Sequence, residues 1–120
     1  MPDPLLVAIG AAVGAPARYL LDRAVMQRVT GAFPWGTLLV NVLGSLVLGL
    51  VLGAALPPPA RLLLGVGFCG ALTTFSTFGY ETQRLLDGGA RRTALLNVVV
   101  SVLACVAAVA AGIAIGSLRT

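Results

Sequence analysis

The sequence has no histidine and no lysine, and only four carboxylates: Asp3, Asp22, Glu81 and Asp87. Without His, the side chain that most often serves as general base and metal ligand is missing. No carboxylate lies at the centre of the Ser/Thr cluster of residues 73–77, and neither Thr73 nor Ser76 has a plausible base, so an enzyme reading has no support. The two cysteines, Cys69 and Cys105, lie in the second halves of apolar runs without metal-ligand spacing and read as small buried hydrophobes. All eight basic residues are Arg, and they fall at the ends of apolar segments, where they anchor helices to headgroups. That placement argues against nucleic-acid binding despite the net charge of +4.

What the sequence does have is apolar length. A 58% hydrophobic content, 10% charged residues and a mean hydropathy of +1.01 exceed what a soluble domain of 120 residues hides in one core. Four apolar segments stand out, about 4–26, 35–56, 62–86 and 94–118, and predict an all-α membrane protein with four transmembrane helices and a single transmembrane domain. Thr37 to Leu56 is the plainest: 20 residues without a charge, about 30 Å as a helix. The first is less clean, because Arg18, Asp22 and Arg23 follow its apolar run. Arg18 must snorkel or pair, with Asp22 four residues on as the nearest partner. The Met-Pro-Asp start lacks the positive region of a secretory signal, so a retained helix is expected. Loops are short, at about 27–34, 57–61 and 87–93, which places the function within the bilayer.

Polar residues recur at four-residue steps: Thr37, Asn41 and Ser45 in the second segment, and Thr93, Asn97, Ser101 and Cys105 in the fourth. Single Ser and Thr side chains in membrane helices usually join helices; for the two asparagines, structural and pathway roles both stand. Gly10 with Gly14, Gly49 with Gly53, and Gly112 with Gly116 form G-x-x-x-G pairs that permit close backbone approach. Tight packing follows, and a bundle this small needs a second copy to enclose a path.

The third segment contains LLLGVGFCGALTTFSTFGYETQRLL, in which Gly65, Gly67 and Gly70 precede the hydroxyl cluster. Backbone freedom and competing side-chain hydrogen bonds predict a helix break near residues 70–76. Unpaired backbone at membrane depth is tolerated only where it is buried in protein, lines water or holds an ion, which marks a site. Carbonyls released there suit a cation. Amides and the hydroxyls of Thr73, Thr74, Ser76 and Thr77 suit an anion. Phe75 and Phe78 either pack as ordinary aromatics or turn their electropositive ring edges to an anion. Glu81 and Arg84, three apart, are expected to pair at the interface; Tyr19, Trp35 and Tyr80 lie where interfacial aromatics belong.

GAAVGAPARY (10–19), GTLLVNVLGSLVLG (36–49) and GFCGALTTFSTF (67–78) resemble the signatures of the CrcB or Fluc family of small bacterial fluoride channels, across nearly the whole chain and in the same order. The resemblance implies an antiparallel, dual-topology dimer of four-helix protomers in the bacterial inner membrane. It further implies two fluoride pores and a central structural sodium ion at the break, held by backbone carbonyls of Gly70 and Thr73. By the same resemblance Phe75 and Phe78 line the pore, while Asn41, Ser76 or Thr77, and Ser101 donate hydrogen bonds along it. Arg18 is implied as a structural or vestibule residue. Some relatives carry an aromatic where Asn97 aligns. The implied role is passive export of cytoplasmic fluoride, relieving its toxicity.

Arginine is skewed across the chain. Arg23, Arg28, Arg91 and Arg92, with Arg18 and Arg84 nearby, lie toward one side, against Arg61 and Arg119 on the other. The positive-inside rule then predicts both termini outside. A homodimer is expected, with an oppositely oriented homologous chain as the alternative. Two rivals differ in mechanism: a proton-coupled exporter of the small multidrug type, which needs a membrane-embedded carboxylate absent from positions 5–21, and a non-transporting structural subunit, which leaves the hydroxyl cluster unexplained.

Overall fold

A computed structural model describes residues 2–118. Every regular element among them is helical, and four candidate membrane spans run through a body of 48 × 28 × 23 Å. Helix α1 is Asp3–Met26, with Pro4 in the first turn, where a missing N–H costs nothing, Asp3 at the positive end of the helix dipole and Arg23 at the negative end. Helix α2 is Trp35–Gly53. It stops three residues before Leu56, because the prolines at 57, 58 and 59 exclude helical continuation and the chain turns through Ala55 at a φ of 52°.

Those prolines then open the next helix in place of ending a loop. Helix α3 (58–72) begins with Pro58–Ala60, widens into a π-helix over Arg61–Cys69 and closes with Gly70–Leu72. Thr73 and Thr74 are extended (φ −79°, ψ 158° and φ −149°, ψ 121°), and α4, Phe75–Asp87, resumes beyond them. The break thus falls within the expected window, but on the threonines. Gly65, Gly67 and Gly70 remain helical, and the π stretch was not anticipated from them. Helix α5, Arg91–Ser117, starts three residues before Ala94 and spans about 40 Å.

The G-x-x-x-G pairs are used within the protomer. A Cβ on Gly49 would overlap the carbonyl of Val109, one on Gly112 the carbonyl of Leu46, one on Gly53 that of Ile113, and one on Gly116 would lie 2.6 Å from that of Leu50. Helices α2 and α5 therefore interlock backbone to backbone, and this is the most extensive packing in the molecule. In the same way Gly10 and Gly14 of α1 lie against α3 at Leu63 and Phe68, and Gly67 answers at Val7. The apolar core is correspondingly small: Val40, Val51, Cys69, Leu72 and Ala94 are buried, while Val13, Leu20, Leu95, Leu103 and Val106 are exposed, as expected where lipid is the outer solvent.

Candidate functional site

Asn41 joins the broken strand of backbone to α2. Its Oδ1 accepts from the N–H of Thr74 at 2.8 Å, and its Nδ2 donates to the Thr74 carbonyl at 3.1 Å, so one carboxamide pairs both polar groups of an extended residue. The α2 stripe places Asn41 there because Thr37 and Gly44 share its face, and Gly44 lets Thr73 approach. The Thr74 hydroxyl caps α4 by accepting from Thr77 N–H at 3.2 Å and lies 3.5 Å from Ser76 Oγ. Thr73 donates its hydroxyl to the Cys69 carbonyl at 2.9 Å. The threonines at the break consequently complete the backbone before they can serve a ligand.

The same bonds leave carbonyls without donors. In an uninterrupted helix Thr74 N–H would bond the Gly70 carbonyl and Thr77 N–H the Thr73 carbonyl. Both amides are taken by side-chain oxygens, Asn41 Oδ1 and Thr74 Oγ1. Gly70 has nothing within 4 Å of the position a Cβ would take. Carbonyls ending a helix carry its partial negative charge and are hard oxygen donors, so the Gly70 and Thr73 backbone fits an alkali cation.

Beside the break an open groove of about 330 Å³ is lined by Asn41, Ser45, Thr73, Phe75, Phe78 and Ser101, among others. The two rings lie 6.0 Å apart at 42°, and Phe75 is 84% exposed, so nothing within the protomer covers its face. A second, polar recess of about 160 Å³ is bounded by Arg18, Tyr19, Asp22, Thr37, Thr74 and Thr77. Thr74 lines both recesses and forms the wall between them. The structure thus brings Asn41, Phe75, Phe78 and Ser101 together, sets Arg18 and Thr77 in the neighbouring recess, and leaves Ser76 exposed and outside both linings.

Asn97 is placed as a connector. It is 1% exposed; its Nδ2 donates to Thr82 Oγ1 at 2.8 Å, Thr82 donates to the Phe78 carbonyl at 2.8 Å, and Ser101 donates to Asn97 Oδ1 at 3.3 Å. The network fastens α5 to α4 one turn beyond Phe78. Two ion pairs expected from spacing are replaced. Glu81 accepts the hydroxyl of buried Thr37 across the bundle, and the Asp22 carboxylate lies against Gly36 in the first turn of α2, where the helix dipole favours it. The Thr37–Glu81 contact was missed because i,i+3 spacing to Arg84 was the only signal offered locally; the polar face of α2 was its nearest hint. Cys69 is buried as expected, whereas Cys105 is half-buried and lines the groove.

These features define a small multi-pass bacterial membrane protein built on a broken third span. The chain belongs to the CrcB family: residues 5–113 match the family model described as CrcB-like protein, Camphor Resistance. It is 56% identical to the fluoride-specific ion channel FluC 1 of Frankia casuarinae, over 92% of this chain and 93% of that one. It is 54% identical to FluC 1 of Streptomyces avermitilis (91% of each chain) and 47% identical to FluC of Magnetococcus marinus (93% and 95%).

Proposed function

We propose that this protein is a passive, fluoride-selective channel that lets the anion leave the cytoplasm. The observation that carries the reading is the groove at the break, where exposed Phe75 and half-buried Phe78 stand beside Asn41 and Ser101 on an apolar-walled path. Relatives along the whole chain are named fluoride-specific ion channels, which supports the choice of anion. Ring edges and single N–H or O–H donors replace part of a hydration shell without holding the ion so tightly that it cannot leave. Asn41 has one amide hydrogen beyond that used on Thr74. Arg18, in the polar recess across Thr74, draws anions toward the path.

The groove is open on one side, so a second protomer is needed to make it a pore. We take the assembly to be an antiparallel homodimer in which the exposed Phe75 face meets its counterpart; an oppositely oriented homologous chain fills the same role in the alternative. In that assembly the backbone carbonyls of Gly70 and Thr73 would hold a sodium ion, which would supply positive charge to offset the carbonyl dipoles and fix the break. Transport needs no step at this cation.

The test is efflux from liposomes loaded with potassium fluoride or potassium chloride and opened to potassium by valinomycin. Rapid fluoride release with negligible chloride release is expected. Equal release of both anions removes the selectivity, and release that depends on a pH gradient points to a coupled exporter.

A further inference from the structure

One apolar groove lies away from this path. Val25 and Val29 on one side and Trp35, Leu38, Leu39 and Val42 of α2 on the other enclose about 350 Å³, a volume in the range of ligand clefts. On α2 these residues project from a different side than Thr37, Asn41 and Ser45, since Leu38 and Val42 follow the polar positions by about 100° each. The groove opens at the arginine-rich end of the bundle. Exposed Arg28 lies between Val25 and Val29 in the chain, and its backbone is fixed there by its N–H bond to the Val25 carbonyl at 2.9 Å. Phe33 packs on Trp35 with ring centroids 4.6 Å apart and holds the indole at the groove.

The charge at this end is not cancelled by its carboxylates. Six arginines, Arg18, Arg23, Arg28, Arg84, Arg91 and Arg92, stand toward this end against three carboxylates, Asp22, Glu81 and Asp87. Arg23 donates to Tyr19 Oη at 3.3 Å, a neutral partner, and Arg91 and Arg92 are exposed. An apolar slot whose lining valines flank Arg28 in the chain, at the end of the bundle where arginines outnumber carboxylates, matches one kind of molecule, which carries an acyl chain and a negative headgroup. We propose that the α1–α2 groove is a binding site for an anionic phospholipid, one acyl chain lying along Leu38, Leu39 and Val42 and the phosphate on Arg28.

Trp35 is the single tryptophan and lines the groove, so it reports its own occupant. The protein is placed in vesicles of equimolar phosphatidylcholine and phosphatidylglycerol, with brominated chains on one lipid or the other, and Trp35 quenching is compared. Brominated phosphatidylglycerol is expected to quench more strongly, with a relative affinity about fivefold above phosphatidylcholine, the effect of one well-placed arginine. Arg28→Gln should abolish the preference, and Arg61→Gln at the opposite end should keep it. Equal quenching by both lipids overturns the proposal, as does a preference that survives Arg28→Gln. Should that variant fail to insert, a wild-type preference unchanged by high salt overturns it equally.

Discussion

Asn41 does for Thr74 what a neighbouring β-strand would do, and an apolar residue there leaves both polar groups of a nearly buried backbone unit unpaired. Each orphaned group costs about 1–3 kcal/mol. Asn41→Leu is therefore expected to destabilise the protein by about 2–4 kcal/mol in detergent unfolding as well as to suppress fluoride efflux; wild-type stability would show that water takes over the bonds. Phe75 behaves differently because it is 84% exposed and its ring meets that of Phe78 across the groove without entering the buried core. Phe75→Ile and Phe78→Ile are expected to lower efflux roughly tenfold, about 1.4 kcal/mol of barrier, while the protein elutes from size exclusion as wild type does. Wild-type flux from both would remove the rings from the mechanism. The importance of Asn41 was legible in its stripe, but its partner lies 33 residues away, and Glu81 meets Thr37 across 44. Such pairings depend on how helices cross, and local spacing carries no trace of that. Spacing instead pointed to Arg84, and the fold supplied a nearer donor.

At the scale of the helix, identical-looking glycines have opposite sensitivities. Gly112 has the Leu46 carbonyl where its Cβ would be, and the obstacle is backbone that cannot rotate away. Gly112→Leu is expected to force α2 and α5 apart at a cost of roughly 3 kcal/mol, seen as lost yield and a lowered midpoint of thermal unfolding. Gly79, inside α4, has nothing within 4 Å of a Cβ position, so Gly79→Ala should leave the protomer as stable as before or firmer by about 0.5–1 kcal/mol. Reversal of that order would mean that α4 packs against a surface outside the protomer. The G-x-x-x-G spacing was readable as close approach; which helices approach was not, since every pair looks alike in sequence. The break was readable for the opposite reason. Its hydroxyls form local bonds, Thr73 to Cys69 and Thr77 to Thr74, that require only neighbours in the chain. The glycines before it remain helical: Gly67 admits α1 at Val7 and Gly10, Gly65 faces Leu48 and Val51 of α2, and Gly70 stands in open space.

For the whole molecule the charge distribution and the proposed symmetry pull against each other. The ends of α1 and α4 and the start of α5 gather Arg23, Arg28, Arg84, Arg91 and Arg92, whereas the opposite end has Asp3 and Arg61 among the described residues; Arg119, counted on that side in the sequence, lies outside them. Insertion favours arginine in the cytoplasm, which for a lone chain places both termini outside. An antiparallel homodimer needs half of the copies to insert the other way, against a bias that in so short a chain is modest. Fusing alkaline phosphatase or a fluorescent protein to the C-terminus reads the two orientations separately, because each reporter is active on only one side. The homodimer predicts signal from both fusions, with the phosphatase the stronger. Signal from the phosphatase alone, together with efflux that appears only when a second family member is co-expressed, would assign the missing half of the pore to that other chain.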